Sequence, residues 1–121
     1  MAKTVILTTE NKVSVVDIPW GYEGWCKAIG GGCNIVELVK TQRMFDLFNM
    51  PVLMIVDEEG LLRDQDLNFV ASMLYGMDQH GNPIVGNVVF GIPSGPDILP
   101  PDDAEAIKAV LVNRFPFLQE V

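Results

Sequence analysis

The chain has 121 residues, of which 49% are hydrophobic and 20% are charged. Sixteen acidic residues against eight basic ones give a formal net charge of −8, and there are only one histidine and two cysteines. A chain of this length and composition can bury a hydrophobic core, which excludes a disordered tail and a metal-stapled miniprotein. The negative charge disfavours binding to nucleic-acid polymers and to anionic membranes, because phosphate groups attract Lys and Arg. We therefore expect a single globular domain over residues 1–121.

The chain ends and the cysteines predict a cytoplasmic protein. The apolar run at the N-terminus is too short for a signal-peptide core, and no stretch reaches the ~18 apolar residues of a membrane span. Cys26 and Cys33 lie seven positions apart and form no metal-binding pattern, so two reduced, buried thiols are expected. A disulfide would need their α-carbons within ~7 Å of each other, a question that the sequence leaves open.

The first third of the chain predicts a β-hairpin followed by a helix. The segments Lys3 to Thr9 and Val13 to Ile18 alternate in polarity and are joined by a short polar connection. After Pro19, apolar residues recur at helical spacing up to Ile29, and the run Gly30-Gly31-Gly32 ends this helix. The stripe that we expect to be buried consists of Tyr22, Trp25, Cys26 and Ile29.

The middle of the chain predicts two strands and a second helix. Asn34 to Thr41 alternates like a strand, whereas residues 42–50 fit either a helical turn or an extended edge. Val52 to Val56 is apolar on both faces, which is typical of a central strand. A clean helical stripe runs from Leu67 to Tyr75, with Asp64 or Asp66 as N-cap and Gly76 as the stop.

The last third predicts one more strand and one more helix. Residues 77–83 have turn chemistry, Ile84 to Ile92 reads as a strand, and Pro93 to Pro101 reads as an irregular loop. Acidic residues at 102 and 103 favour a helix start, and Pro116 ends that helix near Arg114. The order ββαββαβα indicates an α+β fold, with a largely antiparallel sheet and helices packed on one face.

Motifs that would carry catalysis or metal binding have simpler structural interpretations. The three glycines follow a helix instead of preceding one, so they are expected to end it and not to cradle a phosphate. The acidic stretch from Asp57 to Asp66 lacks the spacing of a calcium loop and is expected to be a solvated turn. His80 has no partner in the sequence and is expected to be an exposed loop residue. We predict no catalytic residue, no metal and no cofactor.

The scarce arginines and a few aromatic and amide residues are the best candidates for ligand binding. A small anionic ligand would have to be met by arginine, which binds phosphate and carboxylate bidentately. Asn87 or Asn68 could recognise a base or ribose edge, and aromatic rings could stack on a base. The predicted ligand-binding residues are Arg43, Arg63, Arg114, Asn87, Phe90, Tyr75 and Trp20. Each arginine could equally pair with a neighbouring surface acid, and Tyr22 and Trp25 fit core packing.

Three segments carry a resemblance to a known family. These are the Asp57-Glu58-Glu59-Gly60 turn, the Asn68-x-x-Ala71-Ser72 helix start and the strand Ile84-Val85-Gly86-Asn87. Together with the hairpin and the glycine turn, they make residues 1–92 resemble a family of small acidic proteins of unassigned function, carried by phages and integrative elements of Firmicutes. The resemblance implies a mobile-element origin and carries no catalytic residue. By size, context and architecture, and not by motif, the chain is also similar to Thoeris anti-defence sponges, which bind nucleotide-like immune signals without cleaving them.

Three functions remain open from the sequence. The first is a non-enzymatic sponge, expected to be a homo-oligomer, that sequesters a small anionic, nucleotide-derived signal in a site shared between subunits. The second is an inhibitor that docks its acidic surface on a basic nuclease or DNA-binding protein. The third, a hydrolase that uses Asp57, Glu58 or Glu59 with a metal ion, has the least support.

Overall fold

A computed structural model describes residues 1–121 and contains seven strands, five α-helices and one short 3-10 helix over Leu61–Arg63. The strands are β1 (Ala2–Leu7), β2 (Lys12–Ile18), β3 (Val36–Val39), β4 (Leu53–Asp57), β5 (Val88–Ser94), β6 (Asp97–Leu99) and β7 (Gln119–Glu120). The helices are α1 (Tyr22–Ile29), α2 (Gln42–Phe48), α3 (Phe69–Tyr75), α4 (Met77–His80) and α5 (Ala104–Arg114). None of these helices has the length and apolar character that crossing a bilayer requires.

The strands form one mixed sheet in the order β3-β4-β5-β1-β2-β7, and β6 pairs with β5 outside this series. Every pairing is antiparallel except that of β2 with β7. The predicted hairpin is confirmed: β1 and β2 pair along their whole length, and Asn11 adopts a left-handed conformation in the connection. β4 is buried at all five positions and lies between two neighbours, as its apolar sequence predicts.

The helices cover both faces of the sheet, so the prediction that they pack on one face is wrong. Met54 and Val56 of β4 join a core formed with α2, α3 and α5. Leu53 and Ile55 of the same strand point the other way and pack with Ile29 of α1. The cause is present in the sequence, because a strand that is apolar on both faces must be covered on both.

The order of elements also differs from ββαββαβα, because residues 42–50 form a helix and the predicted loops of the C-terminal half contain further short elements. Residues 42–50 are ambiguous in sequence and form helix α2, capped by Thr41 and closed by Asn49 in a left-handed conformation. The predicted loop at 77–83 contains helix α4. The predicted loop at 93–101 contains the last two residues of β5 and all of β6, and β7 follows α5.

Two predicted helices are confirmed, although one has a different cap. Helix α3 ends at Gly76 as predicted, but its N-cap is the buried Asn68 instead of an aspartate at 64 or 66. The Asn68 side chain accepts a hydrogen bond from the Ala71 amide, and Asp103 does the same for the Ala106 amide at the start of α5. Helix α5 ends at Arg114, and its buried residues pack on the sheet.

Candidate anion-binding site

Two of the three arginines line one groove. Arg43 comes from α2 and Arg114 from the end of α5, and the space between these helices and the α3–α4 segment has a volume of about 360 Å³. We call this space the arginine groove; its lining residues are Arg43, Leu47, Met73, Leu74, Asp78, Arg114 and Phe115. Four of these seven side chains are apolar, so the groove offers an apolar wall beside two guanidinium groups.

Arg43 is held in place by α3 and α4. Its Nη1 donates to the Met73 carbonyl at 2.7 Å, and its two Nη atoms reach the Asp78 carboxylate at 2.8 and 3.1 Å. The hydrogen bond from Arg43 lowers the pKa of Asp78 and raises the pKa of Arg43 itself. The Thr41 hydroxyl donates to the Leu74 carbonyl at 3.0 Å, which fixes the start of α2 against α3.

Arg114 is exposed and forms no salt bridge. Its guanidinium carbon lies 5.3 Å from the ring centroid of Phe115, a cation–π contact that orients the side chain and leaves its N–H groups free. A guanidinium with uncommitted donors beside a second, fixed one is a suitable arrangement for binding a phosphate or carboxylate.

Tyr75 and His80 lie next to the arginine groove. Their ring centroids are 5.0 Å apart, and the edge of the His80 ring borders Gly76, where α3 ends and where Arg43 also lies close. His80 is exposed, as predicted. Tyr75 itself lines a separate cleft of about 330 Å³ together with Glu37, Glu58 and Leu61, among others. This acidic cleft is a poor place for an anion.

Arg63 does not line the arginine groove, and its side chain interacts with other parts of the protein. Its guanidinium pairs with the buried Asp57 and, at 3.6 Å, with Glu59, and its Nε donates to the Gly31 carbonyl at 3.2 Å. The hydrogen bond to Asp57 raises the pKa of Arg63. The guanidinium thus connects the acidic turn after β4 to the glycine turn after α1, and its donors are committed to the protein.

The side chains of the other three predicted residues also form hydrogen bonds or packing contacts within the protein. The Asn87 side chain accepts from the Thr9 amide at 3.1 Å and donates to the Ile29 carbonyl at 3.2 Å. Trp20 is half-buried and donates its indole N–H to the Ile98 carbonyl at 2.8 Å. Phe90 is fully buried against Phe48, so the prediction that it stacks on a ligand is corrected: its ring belongs to the core.

Sequence reasoning missed the residues that complete the groove. Asp78 lies 35 positions after Arg43, in a segment interpreted as a turn, and no local pattern connects the two. Leu47, Met73 and Phe115 read simply as apolar helix positions. The scarcity of arginine is the available signal, and it points to all three arginines without distinguishing Arg43 and Arg114, which line the groove, from Arg63, which does not.

The three glycines end α1 as predicted, whereas the acidic stretch is only partly a solvated turn, because Asp57 is buried and pairs with Arg63. Gly30, Gly31 and Gly32 all have positive φ values and turn the chain at the end of α1, as predicted. No group of three or more His, Cys, Asp or Glu side chains is arranged to hold a metal ion.

No family model matches the chain, and no curated protein or solved structure is similar to it at a significant level. The resemblance to phage-carried proteins therefore stays a prediction.

Proposed function

We propose that this protein binds a small phosphorylated, nucleotide-like ligand in the arginine groove and sequesters it without converting it. The observation that carries the proposal is the pair of guanidinium groups at one groove, of which Arg114 has no protein counter-ion. In a chain with a net charge of −8, two of only three arginines facing the same space favour a site for an anion.

The groove also offers a surface for the rest of such a ligand. Leu47, Met73 and Phe115 form an apolar wall against which a base or ribose could pack, while the phosphate contacts the guanidinium groups. Asp78 makes the site selective, because its carboxylate pairs with Arg43 and repels anions. An anion binds only if its attraction to the two arginines exceeds this repulsion. A ligand with at least one doubly charged phosphate fits this arrangement better than a simple carboxylate.

The size of the groove bears on the oligomeric state that we propose. At about 360 Å³ it lies near the lower end of ligand pockets, which span about 300–1,000 Å³. One nucleotide unit fits this space, whereas a cyclic dinucleotide or trinucleotide would extend beyond it. We therefore propose a homo-oligomer in which a second copy contacts the remainder of a larger signal, as in a sponge that counters a host immune response.

A thermal-shift screen tests the proposal. The purified protein is mixed with adenosine monophosphate, cyclic dinucleotides, cyclic trinucleotides and cyclic ADP-ribose isomers, and its melting temperature is recorded. A ligand at 100 times its Kd raises the free energy of unfolding by about 2.7 kcal/mol, which is a readily measured shift. No shift with any member of the panel would overturn the proposal.

Two single-charge variants locate the site once a ligand is found. Arg114→Gln should weaken binding by roughly tenfold or more, since a charged hydrogen bond contributes about 1.5–3 kcal/mol. Lys27→Gln removes the same charge from an exposed position on α1, on the opposite face of the sheet, and should leave the affinity nearly unchanged. An equal loss of ligand affinity in the two variants would indicate non-specific electrostatic attraction and not a defined binding site.

The acidic cleft favours a second candidate function, docking on a basic protein. Glu37 and Glu58 are exposed there, beside Leu61 and Leu62, which are 60% and 82% exposed. An acidic rim with exposed leucines suits a cationic partner surface. This function predicts that no member of the ligand panel shifts the melting temperature. It also predicts that the double variant Glu37→Lys/Glu58→Lys loses a partner that wild type retains at low salt.

A further inference from the structure

The two cysteines lie together in the structure, although neither takes part in the proposed function. Cys26 is on α1 and Cys33 is in the connection to β3, and their Sγ atoms are 3.2 Å apart. Both are unpaired thiols of intermediate exposure, and they are the only cysteines in the chain. A disulfide requires a sulfur–sulfur distance of about 2.05 Å, so an approach of about 1 Å would bring them to bonding distance.

The backbone between the cysteines is built to allow that approach. The Gly30 amide donates to the Cys26 carbonyl at 2.9 Å, and the Cys33 amide donates to the Gly30 carbonyl at 3.0 Å, so two successive turns return the chain to α1. The turns consist of the three glycines, whose left-handed conformations cost little and adjust easily. From the other side, Arg63 and Gln65 both donate to the Gly31 carbonyl, at 3.2 and 3.0 Å, which anchors the middle of the turn and leaves Gly30 and Gly32 on either side free to adjust.

We propose that Cys26 and Cys33 are a redox-sensitive pair that forms a reversible intramolecular disulfide by exchange with low-molecular-weight disulfides. The bond would fix the end of α1, which covers the second face of the sheet, to the connection that precedes β3. The proposal is independent of the arginine groove, which lies on the opposite face of the sheet.

The exchange proceeds in two balanced steps. Cys26, as the thiolate, attacks one sulfur of an oxidised disulfide RSSR; a Cys26–SR bond forms, the S–S bond of RSSR breaks, and the released RS⁻ takes up the proton that Cys26 gave up. Cys33 then loses its proton and attacks Cys26 Sγ, which forms the Cys26–Cys33 bond and releases the second RS⁻, again protonated to RSH. The protein loses two electrons and two protons, and RSSR is reduced to two RSH.

The environment assigns the order of attack. Cys33 Sγ is the donor to Cys26 Sγ, so the hydrogen bond stabilises a thiolate on Cys26 and favours Cys26 as the attacking sulfur. Burial, the hydrogen bond to Cys26 and the charge of Asp57 raise the pKa of Cys33 to about 12, which keeps it protonated in the first step. The hydrogen bond is lost once Cys26 has reacted, and Cys33 is then the resolving thiol.

Glutathione redox buffers test this assignment on the folded protein. Wild type, Cys33→Ser and Cys26→Ser are equilibrated at an oxidising ratio of glutathione disulfide to glutathione, quenched with acid, alkylated and weighed by intact mass spectrometry. We expect wild type to lose two hydrogen atoms and to resist alkylation. Cys33→Ser should retain one glutathione on Cys26, and Cys26→Ser should react much more slowly. The oxidised wild type should also melt about 5–10 °C higher than the reduced protein.

Four outcomes would contradict the proposal. Wild type that keeps both thiols open to alkylation while Cys33→Ser forms the adduct would show that the sulfurs do not meet. Wild type that accumulates a glutathione adduct would show the same. Cys33→Ser that stays unmodified would show that Cys26 is not accessible. A melting temperature that falls on oxidation would contradict the stabilising role of the bond.

Discussion

Asn68 is a buried polar residue at which three segments of the chain meet. Its Nδ2 donates to the carbonyls of Leu7 on β1 and Gly86 before β5, at 3.1 and 3.0 Å. Its Oδ1 accepts from the Ala71 amide and caps α3. All hydrogen-bonding positions of the amide except one lone pair are therefore used, which is why this side chain tolerates complete burial.

We predict that Asn68→Ala destabilises the protein by about 2–4 kcal/mol, because it removes a helix cap and two buried hydrogen bonds to backbone carbonyls. Urea unfolding followed by circular dichroism measures the change. The matched control is Asn113→Ala, which removes an exposed amide from α5 and should stay within about 0.5 kcal/mol of wild type. A loss below about 1 kcal/mol in Asn68→Ala would contradict the role given to this amide.

Individual residues were predictable from the sequence only in part. The arginines stood out because they are few, and Asn68 could be noticed as a polar residue before an apolar stripe. Their partners could not be predicted, because Asp78, Met73 and Leu7 reach them through the tertiary fold. The sequence does not show whether a single tryptophan or phenylalanine is exposed or buried, and Phe90, predicted to contact a ligand, lies in the core.

At the scale of elements, the ion pair between Arg43 and Asp78 joins α2 to α4. Arg43 lowers the pKa of Asp78, so the folded state holds the charged carboxylate more tightly than the unfolded chain does. The stabilisation is present above the ordinary aspartate pKa of about 3.9 and is lost as the pH falls through the lowered value.

We therefore predict that Asp78→Asn flattens the acid limb of the stability curve. Wild type should lose this contribution on going from about pH 5 to about pH 2, whereas Asp78→Asn should lack it over the whole range. Urea unfolding at a series of pH values measures the difference. Asp97→Asn, which removes an exposed carboxylate from β6 that forms no salt bridge, should keep the wild-type profile. Parallel profiles for wild type and Asp78→Asn would contradict the prediction.

Elements with strong local signals were predictable, and those defined by pairing were not. The hairpin, α1, α3 and α5 follow from alternation, helical spacing and caps. By contrast, β6 and β7 have three and two residues, too few for alternation to show, and they are strands because they pair with the end of β5 and with β2. Helix α4 has four residues and depends on the turn at Gly76.

At the scale of the whole molecule, the sheet is covered on both faces, and the two faces have different features. The face with α2, α3 and α5 carries the arginine groove. The face with α1 carries the tryptophans and the cysteine pair. The α+β class was predictable from the sequence. That helices cover both faces of the sheet is indicated only by β4, because a strand that is apolar on both faces must be covered on both.

Ligand binding in the arginine groove is tested most directly by the NMR signals of the three arginine side chains. Each arginine contributes one Nε–H signal to a ¹⁵N-resolved NMR spectrum, so wild type gives three signals that the Arg→Gln variants assign. Titration with the nucleotide panel should move the signals of Arg43 and Arg114, while that of Arg63, committed to Asp57 and Gly31, should stay in place. Three signals that remain unmoved throughout the panel, or a shift confined to Arg63, would contradict the account.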